Sequence, residues 1–326
     1  MCGIVGYIGA TESSRDGPNE NVTDGGTGSS AVGAVVQDGL HNLEYRGYDS
    51  VGVALVGTSS GLTVQKQSGE VDKLSLPAVS DATHGIGHTR WSTHGPPTDF
   101  NAHPHTDCLD DVAVVHNGII ENHEALKSEL PDHEFTSDTD TEVIPHLLEE
   151  ELSADDGESG ELLGAIRRVE ARVEGSYAIC AVRKGDDRIV VARRGSPLVI
   201  GHGEESMFVA SDVTAFLEHT RKVTYIQDGD VAVLEPGHVE TYHDGEPVDR
   251  GTETVEWEAD AAEKGGYDHY MRKEIHEQPS ALRQTLAGRL NTDSGEVDLD
   301  VSFPPGFLAD LEEIQIVACG TSYYAG

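Results

Sequence analysis

The sequence predicts an α+β protein. Two observations carry this: short β-like runs far outnumber helical stretches, and they come as runs of strands followed by runs of helices. A regular strand–helix alternation, the mark of a parallel sheet, is absent from this pattern.

Residues 2–10 read as a buried strand. Residues 11–30 are Gly, Ser, Asn and Asp with almost nothing to bury, which predicts a surface loop. Val32, Val35, Val36, Leu40 and Leu43 then recur at helical spacing, and that helix is expected to end at Gly47. VGVALV, LTVQKQ, IGHTRW and DVAVVHNGII follow as strands. Helices are expected over residues 122–130 and 140–151, the second capped by Thr139 or Asp140. Residues 151–160 form an acidic loop, and a helix over 161–173 leads into SYAICAV, RIVVARR, LVIGH, MFVAS, YIQDGDVAVLEPG and HVETYH as further strands.

Three segments are expected: a first domain over 1–248, an acidic linker over 249–266, and the opening of a second domain over 267–326. In the last, residues 314–318 read as a buried strand running into Gly320, Thr321 and Ser322, a phosphate-type loop at which the chain stops. The expectation is a chain cut in mid-domain.

Composition excludes several classes. With Lys+Arg 22 against Asp+Glu 59, the net charge is −37. Nucleic-acid binding needs clustered cations, and anionic membranes repel such a surface. Hydrophobic residues still make up 37% and recur along the chain, so it folds. Only 7 of the cations are Lys, and aromatics are 6%. This predicts a halophile's acidic skin: in molar salt the Debye length is about 3 Å, so self-repulsion is screened. Cys2, Cys108, Cys180 and Cys319 show no paired spacing, and no apolar run spans a bilayer. A reducing, cytoplasmic setting is expected.

Cys2 follows the initiator Met, whose removal would give it a free α-amine. That amine has a reference pKa of roughly 7.7–8.0, near the thiol's roughly 8.5, and can act as base for its own side chain. HTRWSTHG at 88–95 supplies Arg90, a bidentate fork for a carboxylate. HNGIIENH at 116–123 sets Asn117 beside Gly118, a side-chain amide and a backbone N–H suited to an oxyanion. SDTDTEV at 137–143 supplies Asp140 at a helix start, able to hold an ammonium group. A substrate with an α-carboxylate, an α-ammonium and an electrophilic amide is glutamine.

MCGIVGYIG, LEYRGYDSVG, IGHTRWSTHG, HNGIIENHEALK, SDTDTEVIPHLL and EGSYAI together resemble the glutaminase half of the glucosamine-6-phosphate synthase family. YDHYMRKEIHEQP and IVACGTSYYAG resemble the start of its sugar-isomerase half. The resemblance implies an N-terminal-nucleophile hydrolase fold, a four-layer α-β-β-α sandwich of two antiparallel sheets, followed by an incomplete α/β sugar-isomerase domain. It implies Cys2 as nucleophile and Asn117 with Gly118 as oxyanion hole. Glutamine would be bound by Arg90, Trp91, Thr93, His94 and Asp140, with Arg46 and Gly47 closing around the nucleophile. Gly320, Thr321 and Ser322 match the start of a sugar-phosphate loop. Expected partners are L-glutamine, fructose 6-phosphate where the isomerase half is present, and a second copy in the full-length enzyme.

The alternatives are another glutamine amidotransferase of this class, such as amidophosphoribosyltransferase, and a non-catalytic fragment. No acidic diphosphosugar-binding motif is visible to favour the former. His84, His88, His94, His103, His105 and His116 invite a metal reading. However, HGIGH is strand-like, so its spacing does not gather both rings on one helix face, and no Cys or carboxylate nearby completes a set. No metal and no cofactor are expected. The charge carries its own test: dialysis to low salt is expected to unfold the chain or abolish its activity, and indifference to salt would contradict the halophile reading.

Overall fold

The computed structural model describes residues 2–9, 31–92, 95–153 and 161–256, and beyond these only 271–273, 275–276, 278–279, 290–291, 296–297, 307, 313 and 315–317. The chain divides into two compact units, Met1–Glu263 and Lys264–Gly326. The loop expected at 11–30 lies outside the described residues.

In the first unit, β1 (Gly3–Gly9) is followed by α1 (Ala31–Asn42), β2 (Ser50–Gly57), β3 (Gly61–Ser68), β4 (Ala82–Arg90), β5 (His105–Thr106) and β6 (Val112–Ile120). Helices α2 (His123–Ser128), α3 (Val143–Ser153) and α4 (Leu162–Glu170) come next. The chain then runs through β7 (Gly175–Arg183), β8 (Ile189–Arg194), β9 (Val199–His202), β10 (Ser206–Ala210), β11 (Lys222–Tyr225), β12 (Asp230–Glu235), β13 (His238–His243), β14 (Glu246–Pro247) and β15 (Glu253–Thr254). One sheet has the order β15-β11-β9-β10-β1-β4-β2-β3, the other β14-β13-β12-β8-β7-β6-β5. The pairings between these strands are antiparallel.

Alternation along the strands builds the layers. In β6, Ala113 and Val115 join Ile4, Ile8 and Ile86 between the two sheets, while Val112 and Val114 belong to the core shared with Ile144 and Leu147 of α3 and Ile166 of α4. In β1, Ile4 and Ile8 point into the intersheet core and Val5 points toward Val36 and Leu40 of α1. The result is the four-layer α-β-β-α sandwich of an N-terminal-nucleophile hydrolase. Both faces of each central strand are covered, which is why DVAVV and SYAICAV read as continuous apolar runs. Among the described residues no helix is long and apolar enough to cross a membrane.

Several local expectations are corrected. The helix predicted to reach Gly47 ends as α at Asn42 and tightens into a 3-10 turn over Glu44–Arg46. Gly47 is extended (φ −177°) and is no left-handed cap. Glycine is needed there because a Cβ would lie 2.6 Å from the Arg90 carbonyl carbon. The helix placed at 140–151 opens as a 3-10 turn over Asp140–Glu142, with α3 running on to Ser153, into the segment expected to be loop. Neither Thr139 nor Asp140 caps it. Thr139 Oγ1 bonds His105 Nε2 and Ser137 Oγ instead, and Asp140 Oδ2 accepts the Ile120 N–H at 2.7 Å.

In the second unit, the described residues include a short ladder of β16 (Leu290–Asn291) with β17 (Glu296–Val297). Residues 315–317, expected in a buried strand, are in no strand and are exposed. A strand exists only as part of a hydrogen-bonded ladder, and among the described residues nothing pairs with them.

Leu40 is fully buried between α1 and its sheet. Leu40→Ala is expected to cost about 2–5 kcal/mol, read as a lower urea midpoint; a cost below about 1 kcal/mol would contradict this packing.

Candidate active site

Cys2 is the residue before β1, and β1 lies between β10 and β4. Pairing of Gly3 with Thr89 and of Val5 with Ala210 locks its register on both sides. The neighbours therefore deliver their own ends to Cys2: Arg90 and Trp91 from β4, Ser211 and Asp212 from β10.

The Cys2 carbonyl accepts three side-chain donors. Asn117 Nδ2 reaches it at 2.9 Å, Arg46 Nε at 3.3 Å and Ser211 Oγ at 3.5 Å. The Trp91 backbone N–H donates to Cys2 Sγ at 3.2 Å. Burial raises the thiol pKa above its ordinary value, and the Trp91 N–H and the charges of Arg90 and Arg46 pull the other way. These cationic and N–H groups favour the thiolate, the form that attacks an amide carbon.

Asn117 sits on β6, in the opposite sheet. Its Oδ1 is 2.9 Å from His88 Nε2. Because Asn117 Nδ2 donates to Cys2, Oδ1 is the acceptor, which assigns the proton to His88 Nε2. One Asn117 N–H is spent on Cys2, and the amide carries a second. Gly118 follows with φ +137°, and a Cβ there would lie 2.0 Å from the Ser176 carbonyl oxygen. Only glycine fits this conformation against β7.

Arg90 is buried, with Nη1 and Nη2 at 3.5 and 3.4 Å from the Pro96 and Gly95 carbonyls. Asp140, Asp49 and Cys2 are the charges that act on it. A guanidinium presents a planar fork matched to a carboxylate. Asp140, also buried, stands at the start of the turn into α3, held by the Ile120 N–H. Trp91 contributes its backbone to Cys2 and turns a half-exposed ring edge-on to Tyr48 at 5.4 Å. Arg46 pairs with Asp212 at 2.8 Å, and Gly47 lies against the Arg90 backbone.

The structure thus gathers Cys2, Arg46, Gly47, Arg90, Trp91 and Asn117 with Gly118, and places Asp140 within the field of Arg90. Thr93, His94, Gly320, Thr321 and Ser322 lie outside the described residues. Three groups escaped the sequence reading. Ser211 ends the MFVAS run and Asp212 follows it, and only their place beside β1 gives them meaning. His88 reads in sequence as a candidate metal ligand, whereas its position opposite Asn117 makes it a positioning residue for the amide.

His88, His103, His105 and His116 form one buried group, with His88 stacked on His103 at 4.3 Å and His103 edge-on to His105 at 4.8 Å. Burial lowers all four; His88 is pushed down to about 3. They are neutral near pH 7 and serve the site as fixed hydrogen-bonding groups.

The fold is that of the N-terminal-nucleophile class, and residues 88–218 match the glutamine amidotransferase domain family. Over its whole length the chain is 55% identical to the isomerizing glutamine–fructose-6-phosphate aminotransferase of Halobacterium salinarum and 46% identical to that of Thermus thermophilus, covering 50% of each. The chain therefore spans about half the length of the curated relatives it matches. Among solved structures it is similar to glutamine phosphoribosylpyrophosphate amidotransferase of B. subtilis, with a TM-score of 0.58 and 22% identity over 74% of this chain and 49% of that one. That likeness concerns the fold.

The buried histidines set an acid limit. Their folded pKa values lie below the unfolded value of roughly 6.5, so the unfolded chain binds more protons as pH falls. Stability is full above roughly pH 6.5 and is lost on acidification, by up to about 1.4 kcal/mol per pH unit for each histidine. Urea midpoints are expected to drop between roughly pH 7.5 and roughly pH 5.5. A midpoint that holds or rises would contradict the neutral cluster.

Proposed function

We propose that the chain hydrolyses L-glutamine to glutamate and ammonia, with Cys2 as nucleophile once Met1 is removed. The observation that carries this is the Asn117 amide held 2.9 Å from the carbonyl of Cys2. The Cys2 carbonyl takes one N–H of that amide and so fixes the group beside the thiol, leaving the second N–H as the donor proposed for the oxygen of the carbon the thiolate attacks. The Cys2 thiolate forms a C–S bond to the side-chain amide carbon of glutamine. Asn117 and the Gly118 N–H hold the oxyanion. The C–N bond then breaks, ammonia leaves with a proton from the Cys2 α-ammonium, and a γ-glutamyl thioester remains. Water adds to the thioester, the C–S bond breaks, and glutamate and the thiol are released. Arg90 takes the α-carboxylate and Asp140 the α-ammonium, with Trp91, Thr93, His94, Arg46 and Gly47 enclosing the substrate.

In a complete protein of this kind the ammonia would convert fructose 6-phosphate to glucosamine 6-phosphate. Support comes from identities of 55% and 46% to enzymes named for that conversion, over the whole of this chain. Residues 1–248 are then the glutaminase domain, 249–266 a linker and 267–326 the start of the sugar-isomerase domain with Gly320, Thr321 and Ser322 in its phosphate loop. The first compact unit runs on to Glu263, and within the proposed linker Glu253–Thr254 still pair with β11 and Val255 is buried in the first unit's core, so a free linker would begin after these residues. A cytoplasmic homodimer is the proposed state of the full-length enzyme. The amidophosphoribosyltransferase reading has only 22% identity behind it.

Cys2→Ala is expected to abolish glutamate release, a loss of about a thousandfold or more, while the circular dichroism spectrum is kept. Retained turnover in this variant would overturn the mechanism.

A further inference from the structure

We propose that Cys108, His133, His146 and Glu149 bind one structural zinc ion. Cys108 lies in the turn between β5 and β6, His133 in the connection from α2 to α3, and His146 and Glu149 one turn apart on α3. One donor atom from each converges, all lying within 4.8 Å of one another. Cys108 Sγ is 3.6 Å from His133 Nδ1 and 3.5 Å from His146 Nδ1. The two Nδ1 atoms are 3.2 Å apart. Glu149 Oε2 is 3.2 Å from the first and 3.7 Å from the second.

These separations are the edges of a coordination tetrahedron. Zinc bonds of about 2.3 Å to sulfur and about 2.0–2.1 Å to nitrogen or oxygen put ligand atoms about 3.3–3.4 Å apart for N–N and N–O, and about 3.6 Å for S–N. Hydrogen bonding alone accounts for them poorly. Each Nδ1 faces three polar atoms here, but a ring nitrogen has a single proton or a single lone pair to offer. One cation at the centre satisfies all four groups with one lone pair each.

The surrounding contacts fit ligands held in place. The Cys108 backbone N–H donates to Glu149 Oε2 at 2.9 Å, fixing the carboxylate. The outer ring nitrogen of His133 faces Glu150 Oε1 at 3.6 Å, the carboxylate–histidine arrangement that orients metal-bound imidazoles. A thiolate with two imidazoles and a carboxylate selects zinc over the hard cations, and four protein ligands leave no position for water. The ion is therefore structural. It ties three segments that share no backbone ladder with one another, and His133 and His146 bracket the stretch that carries Asp140. The expectation that the chain holds no metal is replaced by this proposal, which stands independently of glutamine hydrolysis.

The test is metal content. The full chain, without a histidine tag, is purified in molar salt, incubated with excess zinc, freed of loose metal and analysed by mass spectrometry of the metal. About one zinc per folded chain is expected, with Cys108→Ser and His133→Gln releasing it to a chelator at least about tenfold more readily. Cobalt in its place is expected to show the visible bands of a tetrahedral ion and a thiolate charge-transfer band that vanishes in Cys108→Ser. Circular dichroism confirms that each variant is folded. A folded parent chain that retains neither metal would overturn the proposal. So would variants that hold zinc as firmly as the parent, which would mark the binding as adventitious.

Discussion

The site depends on one constraint: β1 is a central strand, paired on both edges and buried on both faces. Its register cannot slip by one residue without moving Ile4 and Ile8 out of the intersheet core. Cys2 is therefore placed by the sandwich and needs no loop to position it. The same register sets the partners. Arg90 ends the strand on one side of β1, Ser211 follows the strand on the other, and Asn117 crosses from the facing sheet. Each group belongs to a different element, yet all are fixed by the packing that fixes β1.

Charge is divided between surface and site. The chain carries a net charge of −37, while the buried groups of the site include two arginines, a carboxylate and four neutral histidines. An acidic exterior screened by salt and an interior of fixed dipoles make separate demands. The first answers to the solvent and the second to the chemistry.

Much of this was legible in the sequence because it is local. Apolar runs such as DVAVV became strands, and Asn117-Gly118 or Arg90-Trp91 could be read as chemistry from adjacent residues. The four-layer architecture came through resemblance, since periodicity reports burial but not which strand pairs with which. What escaped was either a special backbone or a long-range meeting. Gly47 reads as a helix stop, but it is extended glycine pressed against Arg90. Thr139 reads as a cap, and a histidine from another element takes its hydroxyl. Ser211 and Asp212 are ordinary until β10 is set beside β1. Cys108 and His146 are 38 residues apart and share no spacing motif, so only the folded chain shows that they meet.

Chain ends usually fray, because too few contacts offset the freedom they would lose. Here the second residue is an exception, with Asn117, Arg46 and Ser211 all gripping its carbonyl. The entropy of the terminus is thus surrendered during folding and not when substrate arrives. The thiol is thereby held as part of a rigid body, so a partner would meet it without a search through terminal conformations. The same grip makes this end of the molecule intolerant of additions: a fusion or affinity tag placed before Cys2 would cover its nitrogen and compete with the substrate for the space beside it.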